Sequence, residues 1–293
     1  MEVRHRIFVI NNNPQYNILK QAFDDLGIKY EYKPNGFLSF IICYISDSDP
    51  NYEKLKPQIY HEHVQVKTGM FYSPKDFEES EWFYVNTSES QYPEGEKDYH
   101  YDTYDLTTWC NKCGQGAVQN RPFRLPRDFQ QKRDKFFGLH WVFDEIFCRP
   151  EIKPILDENG LSGLSYLHPI YHKSGKTIDT TYQMKIDFVT APGIFNDGLE
   201  IQDFSVDRKL WTTQDKYARH CPFCNRVKFL YPERNVIRFT RKTLKNIPDV
   251  VKSYEYFGAD GQAQRLILVS KKFYDVIRKN KLSGLVFTPI RLV

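Results

Sequence analysis

The chain has 293 residues, 41% of them hydrophobic and 16% aromatic, which is enough apolar material for two ordinary domains or one large one and excludes disorder over most of the length. The formal charge is only +4 but it is unevenly spread. Residues 76–105 carry ten acids and one base, a net −9, and residues 1–75 are +1, so residues 106–293 hold +12.

The opening Met-Glu-Val-Arg-His-Arg is charged, and the apolar run Ile7–Ile10 after it is too short for a signal peptide. No stretch approaches the ~20 apolar residues of a membrane span. The expectation is a soluble, cytoplasmic protein, a setting in which paired cysteines more often hold metal than form disulfides.

Residues 1–75 predict a small α/β unit. A strand over Arg6–Ile10 ends at Asn-Asn-Asn-Pro, and Tyr16, Leu19, Ala22, Phe23 and Leu26 recur at helical spacing before Gly27. A strand over Ile28–Tyr32, a turn at Pro34-Asn35-Gly36 and a strongly apolar strand over Phe37–Ile45 follow. Tyr52, Leu55 and Ile59 mark a second helix over Pro50–Ile59. This order predicts a ferredoxin-like sandwich, with Cys43 in its core. Residues 76–105, acidic but studded with Trp82, Phe83, Tyr84, Tyr92, Tyr99, Tyr101 and Tyr104, are expected to form an irregular connection.

Residues 106–293 contain a repeat. Leu161-Ser162-Gly163-Leu164-Ser165-Tyr166 matches Leu282-Ser283-Gly284-Leu285-Val286-Phe287, and each closes on Pro-Ile, at Pro169-Ile170 and Pro289-Ile290. A helix is predicted before each copy, with Ile152, Ile155 and Leu156 on the first apolar face and Phe273, Val276 and Ile277 on the second. Asn159-Gly160 ends the first helix, and Asn280 sits where the second needs a left-handed cap. Each copy follows a Cys-x-x-Cys pair, so residues 106–170 and 217–290 form two diverged modules. Residues 171–216 are an insertion with a strand over Tyr182–Val189 and a turn at Ala191-Pro192-Gly193.

The pairs Cys110/Cys113 and Cys221/Cys224 define the strongest candidate site. Two intervening residues let both sulfurs of a pair reach one ion from a tight turn, and tetrahedral thiolate sites favour zinc. The residue after each pair, Gly114 or Asn225, is a type that tolerates left-handed backbone. A redox dithiol or two separate disulfides are the competing readings; a thioredoxin-like dithiol needs one pair at a helix start after a strand and does not explain two. With 107 residues between Cys113 and Cys221, one structural Zn2+ held by all four would tie the modules together. Cys148, in an apolar run, reads as core.

Enzymatic signatures are missing. His61-Glu62-His63 lacks the spacing of a zinc protease. A zinc deaminase places its proline before Cys-x-x-Cys, whereas Pro222 lies inside the pair. There is no phosphate-cradling glycine loop and no Gly-x-Ser-x-Gly elbow. The expectation is a protein without catalytic residues.

The double Cys-x-x-Cys, followed in each half by Ser-Gly-Leu-x-aromatic and a proline, resembles the double-CxxCG-motif family of bacterial proteins, whose members include immunity proteins that neutralise toxins used between competing cells. The end of the chain, from Leu268-Val269-Ser270 through Phe273 to Gly284, Phe287 and Pro289, resembles the closing segment of related immunity families. The resemblance covers about residues 106–293, and the second motif departs from it in having Asn225 for glycine. It implies Cys110, Cys113, Cys221 and Cys224 as metal ligands and a cognate protein toxin as the partner.

The expected fold class is therefore α+β: a ferredoxin-like unit at 1–75, an acidic connection at 76–105, and two zinc-knuckle modules sharing one structural zinc within 106–293. For an immunity protein the working part is a surface. Trp82, Asp98, Tyr99, Tyr101, Asp102, Tyr104 and Asp105 are its candidate residues, because an acidic aromatic patch suits the basic cleft of a toxin such as a nuclease. The alternative is a nucleic-acid-binding zinc ribbon using Lys112, Arg121, Arg124, Arg127, Arg219, Arg226 and Lys228 with Trp109 and Phe223.

Overall fold

A computed structural model describes residues 1–61, 64–87, 92–96, 98–126, 134–195, 220–230, 236–259 and 261–293. The architecture is mixed α/β with several small sheets, divided into one unit built chiefly from Met1–Glu78 and another built from Glu79–Tyr231 and Ile237–Val293. Among the described residues no helix is long and apolar enough to cross a membrane.

The first unit runs β1 (Glu2–Ile10), α1 (Gln15–Asp25), β2 (Tyr30–Asn35), β3 (Leu38–Ser46), α2 (Pro50–Ile59), β4 (Gln65–Phe71) and α3 (Pro74–Glu79). Its sheet is antiparallel in the order β2-β3-β1-β4. Tyr16, Leu19 and Phe23 of α1 and Tyr52, Leu55 and Ile59 of α2 pack on Ile7, Val9, Ile41, Cys43 and Ile45. The Asp49 carboxylate caps α2 by accepting from the Asn51 N–H, with Pro50 in the first turn. The predicted Pro34-Asn35-Gly36 turn is displaced. Pro34 and Asn35 belong to β2, an edge strand that tolerates a missing N–H, and Gly36 (φ 60°) makes the reversal with Phe37. His61 lies between α2 and β4, while Glu62 and His63 are outside the described residues.

The second unit contains β5 (Trp82–Thr87), α4 (Tyr99–Thr103), β6 (Tyr104–Asp105), β7 (Val118–Gln119), β8 (Arg124–Leu125), β9 (Phe136–Leu139), β10 (Val142–Cys148), α5 (Ile152–Glu158), β11 (Ser165–Leu167) and β12 (Ile170–Tyr171). It continues with β13 (Tyr182–Lys185), β14 (Arg238–Phe239), β15 (Val250–Phe257), β16 (Gln264–Ser270), α6 (Lys271–Lys279), β17 (Leu285–Pro289) and β18 (Arg291–Leu292). Its two four-stranded sheets have matching orders, β9-β10-β13-β11 and β15-β16-β5-β17, and every pair in both is antiparallel. Two parallel ribbons also match, β8 with β12 and β14 with β18.

This correspondence corrects two expectations. Trp82–Thr87, expected in an irregular connection, is an interior strand between β16 and β17, because Trp82, Phe83 and Val85 bury against both neighbours. Tyr182–Lys185, expected in an insertion, holds the equivalent place between β10 and β11, and the strand stops four residues short of Val189. The repeat is thus longer than its sequence match, and its first strands are exchanged: β5 precedes the first knuckle but completes the sheet of the second module, and β13 does the reverse.

The Leu-Ser-Gly-Leu turns are exchanged in the same sense. The Ser162 carbonyl accepts from the Val250 N–H at 3.1 Å, at the start of β15, and the Ser283 carbonyl accepts from the Phe136 N–H at 3.0 Å, at the start of β9. Gly163 (φ 89°) and Gly284 (φ 103°) are required there, since a Cβ would strike the Val250 and Phe136 carbonyl oxygens. The helix ends also agree. Asn159 and Asn280 side chains donate to the Ile155 and Val276 carbonyls, and Leu161 and Leu282 N–H groups donate to the Leu156 and Ile277 carbonyls. The left-handed residue of the second helix end is Lys281 (φ 51°), not Asn280, which places it in register with Gly160 (φ 60°).

Asp249 fastens one of these turns. Its carboxylate accepts from Ser162 N at 3.1 Å, Ser162 Oγ at 2.9 Å and Ser270 Oγ at 2.7 Å. Burial opposes ionisation, but these donors outweigh it and hold the carboxyl below its ordinary value of 3.8. A depressed folded value means the stabilisation is complete above the unfolded value and fades as pH falls through the folded one. Asp249→Ala is expected to cost about 1–3 kcal/mol at pH 7, with the gap from the parent narrowing below pH 3.8; urea titrations across that range read it.

Candidate metal centre

Each knuckle is a one-turn loop closed by its own backbone. The Gly114 N–H donates to the Cys110 carbonyl at 2.7 Å and the Cys110 N–H to the Gln115 carbonyl at 2.8 Å. The second loop repeats this: Asn225 N–H to the Cys221 carbonyl at 2.7 Å, and Cys221 N–H to the Arg226 carbonyl at 2.9 Å. Gly114 and Asn225 have φ of 79° and 58°, so the asparagine fills the glycine's conformational role. Glycine has a second reason at position 114, where a Cβ would strike the Gly261 carbonyl.

The two loops bring all four thiols together. Their sulfurs lie within 4.8 Å of one another, with Cys110 to Cys221 at 3.8 Å and Cys113 to Cys224 at 3.5 Å. A tetrahedron with metal–sulfur bonds of about 2.3 Å has edges of about 3.8 Å, so the cluster can hold one ion with little adjustment. All six cysteines are free thiols; Cys43 and Cys148 are buried in cores away from the cluster, as their apolar settings predict. Burial pushes Cys113 and Cys221 above the ordinary thiol value, and the neighbouring sulfurs add to it. At Cys110 burial is outweighed by the backbone N–H groups of Cys113 and Lys112, and the thiol lies below that value. Four crowded sulfurs cannot all ionise unaided, whereas a bound divalent cation stabilises all four as thiolates.

Cations surround the cluster. Lys228 is fully buried, and its Nζ donates to the Cys113 carbonyl at 3.0 Å and the Gln262 carbonyl at 2.8 Å. The Arg226 guanidinium reaches from the second knuckle to the Thr108 and Gln115 carbonyls of the first, at 2.8 and 3.0 Å. The Gln115 side chain donates to the Cys113 sulfur at 3.5 Å. Four thiolates on a divalent ion leave a net −2, which a buried ammonium and a guanidinium offset. Lys228, a candidate for a nucleic-acid surface, is an internal clamp, and Arg226, another, is half-buried between the two knuckles. Arg124, half-buried, donates to the His172 carbonyl at 3.4 Å, and Arg127 and Arg219 lie outside the described residues.

The candidate partner residues divide. Trp82 is 7% exposed in a core with Phe239, Phe257 and Leu268 and offers no surface. Its place in an interior strand is the reason, and the charge count over 76–105 concealed it. Tyr99 donates to the Trp141 carbonyl at 3.1 Å, and Tyr104 packs edge-on to Phe123. Burial raises both phenols above their ordinary value. Asp98 caps α4, Asp102 accepts from the Glu96 N–H, and Asp105 closes a turn at Thr107. Tyr101, 60% exposed, and the exposed Asp98 and Asp105 are the outward-facing part of the set.

Asp98, Tyr99 and Tyr104 also wall a cleft of about 750 Å³ beside the first knuckle. At its base Lys252 pairs with Glu145, which also accepts from Gln183 at 2.9 Å, and approaches Asp144 at 3.8 Å. This buried group links β10 and β13 to β15 and was missed in the sequence. Its signal was Lys252 inside the apolar strand Val250–Phe257, where a solvated lysine is out of place. Asp187, another lining carboxylate, is exposed and pairs with Lys185 at 3.0 Å.

No family model matches the chain, and no curated protein matches it either.

Cys113→Ser and Cys221→Ser are each expected to lower bound metal from one ion per chain to well below one and to destabilise the second unit by several kcal/mol, whereas Cys43→Ser leaves metal content unchanged. Native mass spectrometry and elemental analysis of protein purified without added metal make the comparison.

Proposed function

We propose that the second unit is a pair of zinc-knuckle modules sharing one structural Zn2+, and that the protein is an immunity protein which neutralises a cognate toxin by occluding it. The observation that carries this reading is the convergence of two equivalent Cys-x-x-Cys loops, one from each repeat, on a single four-thiol cluster. That is the double motif on which the resemblance to the immunity-containing family rests. Four thiolates fill a tetrahedral ion, so the metal has a structural role and no open position for chemistry. The strand order β2-β3-β1-β4 with both helices on one face supports the ferredoxin-like reading of the first unit.

In this reading the partner meets Tyr101 with Asp98 and Asp105 around it. An exposed tyrosine with exposed carboxylates close by in sequence suits a basic toxin surface, because the charges speed encounter and the ring supplies contact area. The zinc-ribbon alternative loses Lys228, which is buried against the first knuckle.

The test is co-expression in a cytoplasmic host. A toxin domain recovered with the tagged protein from nuclease-treated lysate of its own host is expected to arrest growth alone and to be harmless beside this protein. Tyr101→Ala with Asp105→Ala is expected to weaken the purified complex about 30-fold or more. If the metal-loaded protein neither bound that domain nor rescued growth, the immunity reading would be wrong.

A further inference from the structure

Only one face of the N-terminal sheet carries the two long helices. Its helices pack on Ile7, Val9, Ile41, Cys43 and Ile45. Alternation along the strands sends Arg4, Arg6 and Phe8 of β1, Phe40, the buried Ile42 and Tyr44 of β3, and Lys67, Gly69 and Phe71 of β4 to the other face. The register aligns Tyr44, Arg6 and Lys67 in one row across three strands, with Arg4 beside Gly69 in another. Arg6 and Lys67 are exposed, Tyr44 is 54% and Phe71 41% exposed. The Arg4 guanidinium lies 3.6 Å from the Phe71 ring centre. Glu2 engages Arg4 and Glu31 engages Lys33, and among the described residues no carboxylate pairs with Arg6 or Lys67.

Gly69 is the unusual residue. It sits inside a strand without the left-handed backbone that demands glycine, and a Cβ there would meet nothing within 4 Å. The missing side chain contributes to an open depression of about 470 Å³ bordered by Arg4, Arg6, Tyr44, Lys67 and Phe71. Glycine in a strand interior weakens the strand, and a ligand's close approach is one reason to keep it. Free phosphate would use the cations and leave the rings idle. An acidic peptide would do the same. Single-stranded nucleic acid uses both, stacking bases on rings and resting phosphates on cations.

We propose that the open face of the N-terminal sheet binds single-stranded nucleic acid, with one base entering the depression over Gly69 against Tyr44 and the flanking phosphates on Arg6 and Lys67. The proposal stands on the first unit alone and is independent of toxin neutralisation.

Fluorescence anisotropy with labelled oligo-U and oligo-dT of about ten nucleotides, on the whole metal-loaded chain, tests it. Binding of either is expected at low salt and not with a duplex of equal length. Tyr44→Ala should lower affinity about 5- to 150-fold. Arg6→Ala and Lys67→Ala should each flatten the slope of log affinity against log salt by about 0.7. Gly69→Val should abolish binding while leaving the thermal midpoint within a few degrees of the parent, because space is open for the side chain. No binding at low salt, or equal binding of a polyglutamate peptide, would overturn the proposal. So would binding that survives Tyr44→Ala and Gly69→Val but is lost in Lys112→Ala with Arg121→Ala.

Discussion

The reciprocal exchange between the two repeats is the constraint on which the second unit depends. Each repeat lends its first strand to the other's sheet, β5 to the second and β13 to the first, and each presses its Ser-Gly turn on the other's first hairpin strand. Neither sheet has its third strand without the partner repeat. A chain arranged this way has the logic of a two-fold dimer written in one polypeptide, and the equivalent cysteines 110 and 221, and 113 and 224, face each other where the two copies meet. The thiol cluster thus closes an interlock that the strands already make.

Charge is arranged around the same junction. Lys228 and Arg226, next to the second knuckle, donate to carbonyls of the first. Lys252, from the second repeat, is neutralised by Glu145 of the first. Buried charges of this kind add little net stability when paired, but removing one partner costs about 3–5 kcal/mol. Their effect is to penalise any packing of the two repeats other than the observed one. The +12 charge of residues 106–293 is therefore partly internal, which a count of bases does not reveal.

What the sequence disclosed was local. The two Cys-x-x-Cys pairs with Gly114 and Asn225, the helical faces at Ile152/Leu156 and Phe273/Ile277, and Gly163 and Gly284 all carry short-range chemistry: a metal loop, a 3.6-residue period, a backbone that only glycine adopts. What it hid was long-range. Nothing in Trp82-Phe83-Tyr84-Val85 says that its sheet is completed nearly 200 residues later, and the surrounding acids made the segment look like a connection. The strand at Tyr182–Lys185 is four residues long and shares no obvious wording with β5. Pairing partners at such separations are set by the whole interlock, so the exchange appears only once the sheets are seen together. Tyr99 and Tyr104 could be nominated as surface residues for the same reason: burial is a property of the fold and not of the residue type.

Hydrogen exchange followed by mass spectrometry, with the metal bound and after chelation, bears most directly on the claim that one ion couples the two repeats. The account predicts that the β9–β10 and β15–β16 hairpins lose protection together when the metal is removed, while β1 and β3 of the N-terminal unit are unchanged. Loss confined to the knuckle loops, or to one repeat with the other intact, would contradict it.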